Sequence, residues 1–238
     1  MKKKLFFTLF LVGLLPFAAF ADTDPQATYT NSKGETFTVW DKIEGEAPLT
    51  IRFTANPSML EDGVTLEWHF NHTGANGNSD VTRYEEDTEF VFTESGTTVV
   101  SLVEKQGDEE LNRKSISVII SESHLEMPNA FSPNDDGYND KYGAKGVNDE
   151  GAEGHYKSIV EFRAMIFNRW GQKLYEWNDV SGYWDGTYKG SPVKAGVYYV
   201  VVKARGADGK EYDIKRDVNL IRQKNEAYEN SSSSSSDQ

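Results

Sequence analysis

The sequence contains no cysteine. That absence excludes disulfide bonds, thiolate metal sites, a cysteine nucleophile and the thiol that lipidation of an exported protein requires. Histidine is nearly as scarce, with four in 238 residues. His69 and His72 have an H-x-x-H spacing, but on a strand residues i and i+3 project from opposite faces, so they read as a surface and a turn histidine. His124 falls between two strand-rich regions and His155 in a glycine-rich loop, neither beside other ligands. No G-x-S-x-G, H-E-x-x-H, phosphate-loop or dinucleotide motif occurs. The many carboxylates include no pair that spacing singles out. No enzymatic activity is expected.

Long apolar runs are also missing. The one extended stretch, Leu5 to Phe17, is shorter than the roughly 20 residues that cross a bilayer. Lys2, Lys3 and Lys4 precede it and Ala19-Phe20-Ala21 follows it, which is the order of a secretory signal peptide over residues 1–21. The mature chain is expected to begin near Asp22, with a short linker over 22–31. Without disulfides such a chain must be held by core packing, and its length suits one or two domains.

Charge divides the two domains. Residues 22–124 carry 7 Lys and Arg against 20 Asp and Glu, a net of −13, whereas residues 125–224 carry 15 against 15. A surface as acidic as the first repels phosphate backbones and anionic headgroups, so no nucleic-acid partner is expected. Period-two alternation marks strands in this half: Leu49, Ile51 and Phe53; Leu66, Trp68 and Phe70; Ile116, Val118 and Ile120. Phe90, Phe92 and the run Thr97–Val103 supply two more. Five or more short strands with a Trp on a central one make a β-sandwich. The segments Ala47-Pro48-Leu49-Thr50-Ile51-Arg52-Phe53, Trp68-His69-Phe70 and Ser95-Gly96-Thr97-Thr98-Val99 resemble a PKD domain, an immunoglobulin-like module of exported and surface proteins. Where that family usually continues Trp-x-Phe with Gly-Asp, this chain has Asn71-His72.

The second half is punctuated differently. It opens on Pro128-Asn129-Ala130-Phe131-Ser132-Pro133-Asn134-Asp135-Asp136-Gly137-Tyr138-Asn139-Asp140 and continues through Asn168-Arg169-Trp170-Gly171, Trp184-Asp185-Gly186 and Gly196-Val197-Tyr198 to Arg222. Val160, Phe162, Ala164 and Ile166 alternate with Glu161, Arg163 and Met165, and Asn168–Gly171 interrupts them where a hairpin would turn. These motifs, in this order, resemble the gliding motility-associated C-terminal domain of type IX secretion in Bacteroidetes. The resemblance implies a type B sorting and anchoring domain over 125–224, engaged by type IX secretion machinery and an outer-membrane β-barrel protein, with the protein held at the cell surface. The chain departs from the family where Arg216-Asp217 replace a customary Gly. A Ser-rich segment, residues 225–238, follows the usual terminus, and its composition is that of a disordered tail.

Two features of the second half carry open alternatives. Asn134, Asp135, Asp136, Asn139 and Asp140 gather oxygen atoms around Gly137, as a Ca²⁺ site requires, but their spacing is not that of an EF-hand. Asx-turns that cap their own backbone explain the same residues. Tyr183, Trp184 and Tyr188, with Trp170 and Trp177 nearby, are either hairpin and core packing or a platform for sugars. The expected architecture is all-β, with two consecutive immunoglobulin-like sandwiches over 32–124 and 125–224. The expected role is surface display through the second sandwich, alone or as part of a surface or secretion complex; the alternative is a carbohydrate-binding or adhesin module.

Overall fold

The computed structural model describes residues 23–31, 34–60, 62–145 and 156–222. The signal-peptide reading, His155 and the Ser-rich tail fall outside them. Among the described residues every element is a strand, as the alternation predicts.

The first unit contains β1 (Gln26–Thr30), β2 (Thr36–Val39), β3 (Lys42–Gly45), β4 (Leu49–Thr54), β5 (Val64–Gly74), β6 (Gly77–Arg83), β7 (Asp87–Phe92), β8 (Gly96–Gln106) and β9 (Glu109–Ile120). They form two sheets, ordered β2-β1-β4-β7 and β3-β9-β8-β5-β6. All neighbours are antiparallel except β3 and β9. The inward residues of β4 and β5 meet between the sheets. The Phe53 ring lies 5.6 Å from those of Trp68 and Phe70 and 6.3 Å from that of Phe92. Trp68 satisfies its buried indole N–H by donating to the Glu86 carbonyl at 3.1 Å, as a buried tryptophan must.

Of the expected linker over 22–31, the described residues 23–31 are not a linker. β1 lies inside the first sheet, paired with both β2 and β4, and Ala27 is fully buried. Gln-Ala-Thr-Tyr-Thr offers little apolar alternation, because only Ala27 turns fully into the core. Thr23 is buried too, and its hydroxyl donates to the buried Glu104 carboxylate at 2.6 Å. His72 is not a turn residue. It faces inward from β5 with its side chain only 10% exposed, its Nδ1 3.0 Å from the Thr98 hydroxyl. His69 points to the other face, against Glu67 at 2.9 Å.

The second unit contains β10 (Ala130–Phe131), β11 (Tyr142–Gly143), β12 (Ile159–Phe167), β13 (Lys173–Trp177), β14 (Tyr183–Trp184), β15 (Thr187–Tyr188), β16 (Ser191–Pro192), β17 (Gly196–Gly206) and β18 (Glu211–Leu220). One five-stranded sheet, β10-β18-β17-β12-β13, forms a layer, while the two-stranded ladders β11-β14 and β15-β16 complete the fold. Tyr142 and Trp184, from β11 and β14, are fully buried in the same core as Phe131, Ile166, Val200, Val218 and Leu220. Along β12 the expected phase holds from Phe162 to Ile166, but a bulge between Ile159 and Glu161 shifts it. Ile159 enters this core, and Val160 packs against the first unit's core instead.

The units are joined closely. Ala207, in the turn between β17 and β18, is 1% exposed and belongs to the first unit's core. Its carbonyl accepts from the Ser95 N–H and the Asn76 amide, both at 3.0 Å. Asp208 accepts from the Ser123 hydroxyl at 2.7 Å and the Ser123 N–H at 3.2 Å. His124 and Lys157 exchange backbone hydrogen bonds at 3.0 and 2.9 Å. Buried N–H and C=O groups need partners, and here each unit supplies partners for the other.

Candidate functional site

Arg222 gathers the dispersed motifs. Its Nε donates to the Val193 carbonyl at 3.1 Å, while its two terminal nitrogens reach the carbonyls of Gly186 at 3.3 Å and Pro133 at 3.4 Å. A planar guanidinium suits this role because its donors point in fixed, divergent directions. Gly186 allows the approach. Its φ is +78°, and an added Cβ would stand 3.2 Å from the Leu220 and Pro133 side chains, so both conformation and space favour glycine.

Beneath this contact lies an aromatic group. Trp184 has its ring 5.3 Å from both Phe131 and Tyr198, and its indole N–H donates to the Thr187 carbonyl at 2.8 Å. Asp185 turns the chain so that this is achievable, accepting from the Thr187 N–H at 2.9 Å. The Tyr142 hydroxyl donates to the Pro128 carbonyl at 3.1 Å, and burial pushes its pKa far above the usual phenol range. The carbonyls of Asn129 and Phe131 accept from Asn219 and Ile221, both at 2.9 Å. The opening motif is therefore a short parallel strand on the sheet edge.

The Asn134–Asp140 loop is stitched by its own acidic residues. Asp140 accepts from the Asn134, Asp135 and Gly137 N–H groups at 2.8, 2.7 and 2.8 Å, using both carboxylate oxygens. Asp136 accepts from the Tyr138 N–H at 2.8 Å. Burial alone would raise the Asp140 pKa, but these backbone donors outweigh it and hold the carboxyl below its usual range. Asp135 and Asn139 take φ of 61° and 51°, the left-handed conformation that Asn and Asp tolerate best. Among the described residues no group of three or more His, Asp or Glu is placed to hold a metal ion.

Asn168–Gly171 forms the expected hairpin turn. The Asn168 side-chain oxygen accepts from the N–H groups of Trp170 and Gln172, both at 3.0 Å. The turn leaves Trp170 76% exposed, with the Arg169 guanidinium 4.4 Å from its ring centre. Beside it runs a groove of about 470 Å³ between the hairpin and the strand entrance at Val193–Tyr198. Asn168, Arg169, Gly196 and Tyr198 all line this groove, with Trp170, Leu174 and Val197 supplying apolar surface. Gly196 opens β17 with a φ of 149°. The groove continues onto the outer face of the sheet, where Val197 and Tyr199 are 47% and 48% exposed and Tyr199 pairs with Phe167 of β12.

The motif residues thus divide by role. Pro128, Asn129, Phe131, Pro133, Trp184, Asp185, Gly186 and Arg222 build the framework; Asn134, Gly137, Asn139 and Asp140 build a self-capped loop; Asn168, Arg169, Gly196 and Tyr198 line the groove, and Gly171 closes the hairpin turn beside it. Of the aromatic residues considered for sugars, Trp184 and Trp177 are buried, whereas Trp170 and Tyr183 are exposed. The outer-face row was not anticipated. Its signal is the unbroken run Val197-Tyr198-Tyr199-Val200-Val201-Val202, which lacks the alternation of a strand with one wet face.

Residues 125–216 match the family described as the CHU_C type IX secretion signal domain. No characterised protein matches the sequence. Among solved structures, the chain is similar to a tetra-tandem repeat in the extending region of a large adhesion protein, with 10% identity over 85% of this chain and 68% of that one and a TM-score of 0.30. It is similar to the FN1–FN3 domains of chicken CNTN1, with 8% identity over 82% and 74% and a TM-score of 0.27. A third similarity is to dimeric latent PorU from Porphyromonas gingivalis, with 12% identity over 84% of this chain and 20% of that one and a TM-score of 0.24. Nothing about site or partner follows at these scores.

Proposed function

We propose that this is a non-enzymatic exported protein whose second unit directs type IX secretion and holds the protein at the outer-membrane surface. The observation that carries the reading is the match of residues 125–216 to a type IX secretion signal domain. The groove of the second unit supports an attachment role, because its apolar surface is continuous with the exposed row of Val197 and Tyr199. Aromatic anchors with exposed apolar surface are what protein partners bury. The partner we assign is an outer-membrane β-barrel protein, met through this groove and row after the type IX machinery has moved the chain outward.

The test keeps the whole chain, because the first unit's core includes Ala207. Trp170→Ala combined with Tyr199→Ser removes exposed apolar area without touching the core. Cells expressing this variant are expected to release the folded protein into the medium, while the unsubstituted protein stays cell-bound and protease-accessible. Retention of the variant at the surface would place attachment elsewhere.

A second reading, contact with glycans, has its own observation. A cleft of about 720 Å³ between the units is lined by Tyr29, Phe37 and Tyr156 with Glu44 and Glu46. The Tyr29 and Phe37 rings are stacked at 5.6 Å. Aromatic faces beside polar rims are the composition of a small-ligand cleft. Binding of the full chain to a glycan array, lost in Phe37→Ser, would favour this reading.

A further inference from the structure

The first sandwich is incompletely filled along one open side, between the edge strands β6 and β7. On β6, Ser79 and Val81 stand opposite His72 and Phe70 of β5, so the inward row of this edge is small. Across the seam Phe90 and Phe92 turn inward from β7, and the Phe90 ring stacks on Phe70 at 4.5 Å. Serine and valine do not fill the space these rings leave. A cavity of about 120 Å³ opens there, aromatic at one end and lined by His72, Thr98 and Glu94 at the other. Since a cavity of roughly 150 Å³ holds a benzene-sized group, this one is the size of a single side chain.

His72 supplies the cavity's unsatisfied group. Its side chain is nine-tenths buried, and its Nδ1 is engaged by the Thr98 hydroxyl at 3.0 Å. Nε2 has no hydrogen-bond partner, because the Glu94 carboxylate stands 3.6 Å away, beyond hydrogen-bond reach. With the ring proton on Nδ1, Nε2 presents a lone pair. Two acceptors then face one small space with no donor between them. Among the described residues Glu94 pairs with no lysine or arginine, and Arg205, which feels its charge, is bound to Glu161 at 2.5 Å. A buried acceptor without a donor is costly, and a cation with several N–H groups would satisfy both.

We propose that this seam binds an extended basic segment of a partner protein, which adds as a strand to the free edge of β7 and inserts a lysine side chain into the cavity. β7 is paired on one side only, with β4, and an unpaired edge is a template for another chain. A strand added there lies over the seam, and its alternate side chains point toward β6. The aliphatic stem of lysine packs on Phe70, Val81 and Phe90, while its ammonium, with three donors, reaches both His72 Nε2 and Glu94. Charge selects the same partner. Asp87, Glu89 and Glu94 lie on or just beyond β7, in a half of net charge −13. A second copy of the chain would set acidic edge against acidic edge. The inference concerns the first unit and stands whether or not the second directs export.

The test titrates the chain lacking residues 1–21, both units together, near pH 7.5, where an ordinary imidazole is neutral. The probes are two short blocked peptides of alternating threonine and valine that differ at one central position, lysine in one and norleucine in the other. The lysine peptide is expected to bind about tenfold tighter, the worth of a charge-assisted hydrogen bond. It is also expected to slow hydrogen exchange at the β7 amides and to shift the His72 ring resonances. Glu94→Gln and His72→Phe should each remove most of the lysine preference. Should His72→Phe fail to fold, Ser79→Leu, which fills the cavity from the exposed edge strand, takes its place with the same expected loss. Equal or tighter binding of the norleucine peptide overturns the ammonium site. A lysine preference that survives Glu94→Gln and Ser79→Leu, or that comes without protection of β7, lies elsewhere and overturns the proposal. Failure of both peptides to bind at millimolar concentration overturns the strand addition itself.

Discussion

Arg222 illustrates how a single side chain can explain a scattered motif. The carbonyls it reaches belong to Pro133, Gly186 and Val193, and Pro133 lies too far in sequence from the other two to have been linked to them by spacing. Hydrogen bonds from a charged donor are typically worth about 1.5–3 kcal/mol. Arg222→Ala is expected to lower stability by about 2 kcal/mol in urea unfolding, and Arg222→Lys to recover only part, because an ammonium cannot span three divergent acceptors. The acidic loop gives a second residue-scale expectation. Asp140 already spends both oxygens on backbone N–H groups, so EGTA should leave the thermal midpoint unchanged, whereas Asp140→Ala should lower it by several degrees. A midpoint that falls with EGTA and returns with Ca²⁺ would restore the calcium reading. The residue types of this loop were legible in the sequence. What they bind was not, since oxygen-rich turns and calcium loops share a composition and differ only in where the oxygens point.

At the scale of elements, alternation marked β4, β5, β9 and most of β12 because their buried residues are large and apolar. It failed at β1, whose inward residue is an alanine among polar neighbours, and at the start of β12, where a bulge displaces the phase by one residue. Both failures are tertiary in origin. β1 is recruited by pairing on two sides, and the bulge turns Val160 toward the other unit. Because β2 reaches β4 only through β1, deleting residues 22–31 is expected to remove two strands from the sheet and expose Phe53. Loss of the near-UV circular dichroism of the first unit would record this, and a deletion variant with an unchanged spectrum would return these residues to a linker role. The hairpin at Asn168–Gly171 was legible for a different reason. Its turn is specified locally, by an Asn that caps two N–H groups and a Gly with φ of +78°.

For the whole molecule, the change of charge near residue 124 suggests a looser joint than the one present between the two cores. Ile120 belongs to the first core and Leu125 to the second, leaving only a few residues between them. The β17–β18 turn then reaches back to place Ala207 in the first core. A junction of this kind should make the units unfold together, since separating them exposes Ala207 and strands the Ser95 N–H and Asn76 amide without acceptors. A single calorimetric transition is expected for the unsubstituted protein, and Ala207→Asp is expected to divide it into two. Acid should act on the same joint through Asp208. Burial would raise that carboxyl's pKa, but the Ser123 hydroxyl and the Lys210 and Ser123 N–H groups outweigh it and hold the value below the usual range. A depressed folded-state pKa contributes stability that is present above the unfolded value and is lost as pH falls through the folded one. The single transition should therefore persist at neutral pH and begin to separate below about pH 4, the ordinary carboxylate range. Asp208→Asn should remove much of that pH dependence while leaving the hairpin turn in place. If the two transitions are already separate at pH 7 in the unsubstituted protein, the joint is not cooperative, and the second unit can be displayed as an independent module.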